Sequence, residues 1–146
     1  MKFVNKLEPD ANKPLIIAAM QDMGNVGSIV VNFINKGLNT TPFRFAKSNR
    51  PPYVFDKGGY IEVPEEHWEY RYGHDIIVFG GGRGQPEQGD ELNELCQDVI
   101  NTAKKYDAKF IYTVGDSILV DSLANIQQHM LQLQLKSYLS KYVILV

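Results

Sequence analysis

Three short apolar runs, each closed by a turn that carries glycine, constrain this chain more than anything else in it. They lie at residues 14–20, 76–79 and 110–114, and they lead into "QDMGNVGS", "GGGRGQPEQG" and Gly115. A run that is apolar at every position suits a strand covered on both faces, the situation of a parallel sheet flanked by helices. Helical patterns follow the first two runs. From Val26 to Leu38 the apolar residues Val26, Ile29, Val30, Phe33, Ile34 and Leu38 recur at spacings of three and four, which predicts a helix with one buried stripe. Val26, Ile29 and Val30 are expected to be buried behind the first turn. Asn25 stands where an N-cap belongs, and Gly37 near the C-terminal end is suited to the left-handed conformation. Leu92, Leu95, Cys96, Val99, Ile100 and Ala103 line a second helix that should end near Tyr106.

Between the first helix and the second apolar run lie β-prone pieces at 43–46, 53–55, 60–63 and 67–72. The alternation in "GGYIEVPEEHWEYRY" predicts strands with one wet face, arranged as a hairpin or meander. In the last thirty residues the spacing of Leu123, Ile126, Met130 and Leu133 suits an amphipathic helix and the alternation from Leu131 to Leu135 suits a strand; a Gln-rich helix followed by a short strand at Val143-Ile144-Leu145-Val146 is the preferred reading. Together these elements predict one α/β domain over residues 1–146, a three-layer sandwich with a mainly parallel central sheet and a small antiparallel hairpin insertion.

The chain has 146 residues, 44% of them hydrophobic, so one ordinary core can be buried. Its 15 Lys and Arg against 17 Asp and Glu leave a formal charge of −2, which gives no reason to expect nucleic acid or an anionic membrane as partner. The single cysteine, Cys96, excludes an intrachain disulfide framework. No signal-peptide core stands at the amino terminus, and no window approaches the ~18 consecutive apolar residues of a membrane span. A cytoplasmic protein is the expectation.

The two glycine turns are the candidate site. The spacing Gly24-x-x-Gly27 is neither the dinucleotide fingerprint nor a P-loop, but amides at a helix start can hold an anion. The same glycines are also what a sharp strand-to-helix corner requires, and that packing role is the preferred reading. The second turn, 80–86, lies where a parallel sheet opens a ligand crevice, and Arg83 suits a carboxylate or phosphate. Gly24, Asn25, Gly27, Gly82, Arg83 and Gln85 are therefore the candidate ligand-binding residues. His67, His74 and His129 lack metal-ligand spacing. Neither Ser28 nor Ser117 sits in a nucleophile elbow. Asp22, Asp90 and Glu91 flank the turns, with helix capping the plainer role for the last two. No catalytic residue, cofactor or metal is assigned.

"PLIIAAMQDMGNVGSIVVNFI", followed by "DIIVFGGGRGQPEQGDELNELCQDVINTAKKYDAKFIYTVG", resembles the proteasome assembly chaperone 2 family, whose archaeal and bacterial members often carry an ATP-grasp superfamily label. The resemblance covers about residues 10–115 and rests on the Gly-Asn-x-Gly turn at 24–27, Gln85-Pro86 after a buried strand, and the "YTVG" strand end at 112–115. It implies an α/β sandwich, self-association, and help in assembling the proteasome α-ring, so the partners would be the chain itself and proteasome α subunits. No ATP- or magnesium-binding set accompanies the label. The carboxyl-terminal docking signal of such factors is absent as written, because Tyr142 is not penultimate. Residues 116–146 do not match the family, whose members usually run longer, and an incomplete sheet would expose an edge for a second subunit. The leading functional expectation is a non-enzymatic, homo-oligomeric assembly factor. The alternative is a small-molecule or nucleotide site between 24–27 and 80–86, with hydrolase or transferase activity.

Overall fold

The structure, a computed structural model, describes residues 1–22, 24–48, 54–62, 67–82, 86, 89–115 and 143–145. Nine strands and two helices are present among them: β1 (Lys2–Asn5), β2 (Leu15–Ala19), α1 (Val26–Gly37), β3 (Thr41–Lys47), β4 (Phe55–Asp56), β5 (Ile61–Glu62), β6 (His67–Gly73), β7 (Ile76–Gly81), α2 (Gly89–Lys105), β8 (Phe110–Val114) and β9 (Val143–Leu145). Seven strands form one sheet in the order β1-β3-β6-β7-β2-β8-β9, and β4 with β5 makes a separate two-stranded ribbon.

The fold is mixed α/β, and here one expectation is corrected: the sheet is not mainly parallel. β2 pairs in parallel with β7 and β8, and β8 with β9, whereas β1–β3, β3–β6 and β6–β7 are antiparallel. The segment expected to form an inserted meander divides in two. Its second half, β6, turns through His74 and Asp75 into β7 and becomes a central strand of the main sheet. The alternation was genuine, because Trp68 and Tyr70 are buried while His67 is exposed and Glu69 and Arg71 are half-buried. A strand covered on one face only reads as peripheral even when it lies at the centre of a sheet.

The larger core lies on the α2 face. Ile16, Ala18, Phe43, Ala46, Trp68, Tyr70, Ile77, Phe79 and Ile111 of the sheet meet Leu95 and Val99 of α2. Tyr70 packs on Phe79 with ring centroids 4.7 Å apart, and the Phe43 ring meets Tyr106 edge-on. Each fully buried side chain of this size adds about 1.5–3 kcal/mol. On the opposite face a smaller cluster of Ala19, Val31 and Val78 seats α1.

The packing of α1 departs from expectation. Gly27 and Val31 are its buried residues, while Val26 and Ile29 are exposed and Val30 is half-buried. The apolar arc of the helix is wider than the face that meets the sheet, and glycine at 27 lets the backbone approach on that side. The C-terminal turn differs as well, since Gly37 is still helical and Asn39 is the residue with positive φ, 47°. The expected Gln-rich helix lies outside the described residues.

Candidate functional site

β2 and β7 are adjacent and parallel, with Ala18 opposite Phe79. The two glycine turns therefore leave neighbouring strands at the same carboxyl end, and Gly24, Asn25, Gly27 and Gly82 share that end of the sheet. Arg83 and Gln85 lie outside the described residues. At the first turn Asn25 takes a left-handed conformation (φ 58°, ψ 15°) and makes no side-chain cap. Its carbonyl accepts the first helical hydrogen bond from the Ile29 amide at 2.9 Å. The cap comes instead from Asp22, whose Oδ2 accepts a hydrogen bond from the Gly27 amide at 3.0 Å. A carboxylate thus occupies the positive end of α1, where an anionic ligand would otherwise sit.

Gly27 has a packing reason to be glycine. A Cβ there would stand 2.4 Å from the Met20 carbonyl oxygen and 3.2 Å from that of Val114. Gly80 is similar, with Val31 Cγ1 only 2.7 Å from a Cβ at that position. Gly81 and Gly82 have φ of 103° and 73°, so the chain leaving β7 turns through left-handed backbone. Of the flanking acids, Asp90 and Glu91 lie in the first turn of α2, where they offset the helix dipole, and Glu91 accepts a hydrogen bond from Ser48 Oγ at 2.7 Å. Among the described residues no group of three His, Cys, Asp or Glu is placed to hold a metal. Cys96 is half-buried, and burial pushes its thiol pKa up.

Sequence reading missed the principal polar cluster. Asp98 of α2 is buried and accepts hydrogen bonds from Arg44 Nε at 3.2 Å and from the Tyr70 hydroxyl at 2.7 Å, with Arg44 Nη2 on its other oxygen. Arg44 also donates to Asn5. Burial opposes the Arg44 charge, but Asp98 outweighs it and the guanidinium pKa rises. Burial and then Asp98 drive the Tyr70 hydroxyl well above the ordinary tyrosine value. Beside this cluster Glu8 accepts hydrogen bonds from Lys105 and Tyr106, which hold its carboxyl below the usual range. The surrounding cleft encloses about 120 Å³. Because its charges answer one another, the cluster works as a latch joining β3, β6 and α2. The signal was present in the sequence, since Asp98 falls among Leu95, Val99 and Thr102 on the buried side of the helix.

Apolar side chains are also exposed on α1 and on the β4–β5 ribbon. On α1, Ile29 is 62% and Phe33 78% exposed, with Val26 beside them. On the β4–β5 ribbon Val54, Tyr60 and Ile61 are all more than half exposed. The ribbon turns at Gly58 and Gly59, both with positive φ, and closes through a hydrogen bond from the Lys57 amide to the Tyr60 carbonyl at 3.0 Å. Elsewhere Lys2, Lys6, Lys47 and His67 surround Val4 and Phe45 in an open groove along β1. Lysines on an edge strand discourage unwanted pairing. Among the described residues no helix is long and apolar enough to cross a membrane.

These features define a mixed α/β protein with exposed apolar side chains on α1 and on the β4–β5 ribbon. The family model described as the PAC2 family matches residues 16–136, and the chain belongs to that family. The match continues beyond residue 115, where the motif resemblance stops. Nothing supports the ATP-grasp label. Among curated proteins no sequence match is found.

Solved structures share the fold. PbaB of Pyrococcus furiosus, an archaeal proteasome activator, is similar over 98% of this chain and 66% of its own, with a TM-score of 0.62 and 17% identity. PbaA of the same organism, an archaeal homologue of proteasome-assembly chaperone, is similar over 98% and 62%, with a TM-score of 0.57 and 18% identity. A proteasome-assembly chaperone homologue of Mycobacterium tuberculosis is similar over 78% and 59%, with a TM-score of 0.51 and 14% identity. The chain therefore spans less than two thirds of the length of each of these three.

Proposed function

We propose that this chain is a non-catalytic assembly factor that binds proteasome α subunits and acts as a homo-oligomer. The observation that carries the reading is the β4–β5 ribbon. An isolated two-stranded ribbon gains little stability for itself, yet this one holds Val54, Tyr60 and Ile61 out to solvent. Exposed apolar residues gathered on one projecting element suit a protein interface. Family membership and neighbours named as a proteasome activator and assembly chaperone homologues indicate which proteins to test. The immobilised chain is expected to capture proteasome α subunits from purified components. Failure to retain any α subunit at micromolar concentrations would remove the specific part of the reading.

A second reading follows from the adjacency of β2 and β7, because ligands of open α/β sheets bind outside the carboxyl ends of strands. It would place a small molecule against Gly24, Asn25, Gly27, Gly82, Arg83 and Gln85. The Asp22 carboxylate on the Gly27 amide disfavours an anion there. A thermal-shift series with nucleotides decides the matter, since a ligand at a hundredfold excess over its Kd adds ~2.7 kcal/mol of stability. No shift is expected.

A further inference from the structure

The sheet carries α2 on one face, and α1 packs mainly on β7 and β2 of the other. On that second face β1, β3 and β6 form the groove of lysines noted above. An irregularity in β3 between Pro42 and Arg44 decides which side chains reach it. Phe43, Arg44 and Ala46 turn towards α2, so Phe45 and Lys47 point away from it. Strand pairing then arranges the groove in rows. Lys2, Lys47 and His67 stand in line across β1, β3 and β6, and Val4 stands opposite Phe45 in the next row. Lys6 follows at the far end, its Nζ 4.3 Å from the centroid of the Phe45 ring. About 390 Å³ of space stands open among these six side chains.

No carboxylate lines this space. The nearest acid on the same face, Glu69, stands opposite Phe45 and is ion-paired with Arg71 at 3.0 Å. Lys13 and Lys105 are answered by Asp107 and Glu8, but among the described residues Lys2 and Lys6 meet no carboxylate. Lys2 and Lys6 are four residues apart in extended chain, roughly 13 Å at ~3.3 Å per residue. Between them lie an aliphatic side chain and an aromatic ring. The complement of that arrangement is an extended peptide with acidic residues four apart and an apolar residue midway. A second copy of β1 would bring lysine against lysine. The formal charge of −2 gives a long polyanion such as nucleic acid no general attraction, whereas a short acidic segment needs only the local charge.

We propose that this groove binds an extended acidic segment of a partner protein, its carboxylates on Lys2 and Lys6 and its apolar side chain on Val4 and Phe45. Exposed ion pairs are individually weak and are screened by salt, so the contact is micromolar rather than nanomolar and reversible. Complementary charge of this kind steers encounter and sets register more than it adds affinity. The groove uses none of the ribbon residues, and the proposal does not rest on the assembly-factor reading.

Fluorescence anisotropy tests it, with a dye-labelled peptide of two Glu-Thr-Val-Thr-Glu units titrated with the full chain. The peptide should bind with a micromolar Kd that weakens as salt is raised. Lys2→Glu and Lys6→Glu combined in one chain should weaken binding roughly tenfold or more. The melting temperature should stay nearly constant, because both side chains are exposed. A peptide with serine in place of valine should bind several-fold less tightly, and a labelled oligo-dT strand should not compete. Absence of acidic-peptide binding at ~1 mM chain, undiminished binding by the double variant, equal binding of the serine peptide, or tighter binding of the oligonucleotide would each overturn the proposal. Capture of α subunits by the double variant reports separately on the assembly-factor reading, so either can fail alone.

Discussion

At the scale of single residues, the latch around Asp98 governs stability. Removing one partner of a buried ion pair leaves the other charge without compensation, so Asp98→Ala should destabilise the chain by about 3 kcal/mol. Asp98→Asn should cost less, because an amide oxygen still accepts from Tyr70 and Arg44. Trp68, the chain's one tryptophan and fully buried, supplies the fluorescence signal for urea titrations that measure both. Tyr70→Phe removes a hydrogen bond to a charged acceptor and should cost about 1.5 kcal/mol at neutral pH. Its pH dependence has a definite sign. The folded-state pKa of Tyr70 is raised above the ordinary 10, so its stabilisation is complete below pH 10 and is lost as pH rises from there towards the folded value. The gap in stability between wild type and Tyr70→Phe should therefore narrow above pH 10. A gap that stayed constant would show that this hydroxyl titrates as it does in the unfolded chain.

At the scale of elements, the two glycines of α1 make a controlled comparison. A Cβ at Gly27 would run into the carbonyl of Met20, just past β2, and that of Val114 in β8, whereas nothing lies within 4 Å of a Cβ at Gly37. Gly27→Ala should lift the helix from the sheet and cost about 2 kcal/mol or more, while Gly37→Ala should stabilise by roughly 0.5–1 kcal/mol through helix propensity. Denaturant midpoints of the two variants should move in opposite directions. The same helix shows what the sequence could disclose. Its bounds were legible, because its apolar periodicity is strong and a turn precedes it, and β2 and β8 were legible as unbroken apolar runs. Which arc of α1 would be buried was not, because Val26, Ile29 and Phe33 are as apolar as Val31 and Ile34, and the choice was made by a glycine that lets one side come close. The packing role of Gly27 could be anticipated from the strand-to-helix corner, but not the Asp22 cap, since the residue in the N-cap position, Asn25, is held left-handed and leaves its side chain out of the cap.

At the scale of the whole molecule, sheet order and surface use come from pairings far apart in sequence. β1 joins β3 by pairing Lys2 with Lys47 and Asn5 with Arg44. A four-residue edge strand, Lys2-Phe3-Val4-Asn5, whose two apolar residues are adjacent and do not alternate, gives almost no local signal, and it went unread. The Asp98 latch was obscure for a related reason, since its partners come from β3, β6 and α2, and only the aspartate sits visibly out of place in its own helix. The ribbon provides the corresponding test of function. Tyr60 and Ile61 lie on a hairpin outside the seven-stranded sheet, so replacing both with serine removes apolar surface without opening the core. Surface substitutions of this kind change stability by only about 0.5 kcal/mol, and the melting temperature should stay nearly constant. An aromatic anchor at the centre of an interface contributes about 2 kcal/mol or more, so the double variant should bind proteasome α subunits at least ~30-fold less tightly in a titration by biolayer interferometry. If the ribbon variant binds α subunits as tightly as the unaltered chain, the recognition surface is elsewhere, and the projecting hairpin needs another partner to explain it.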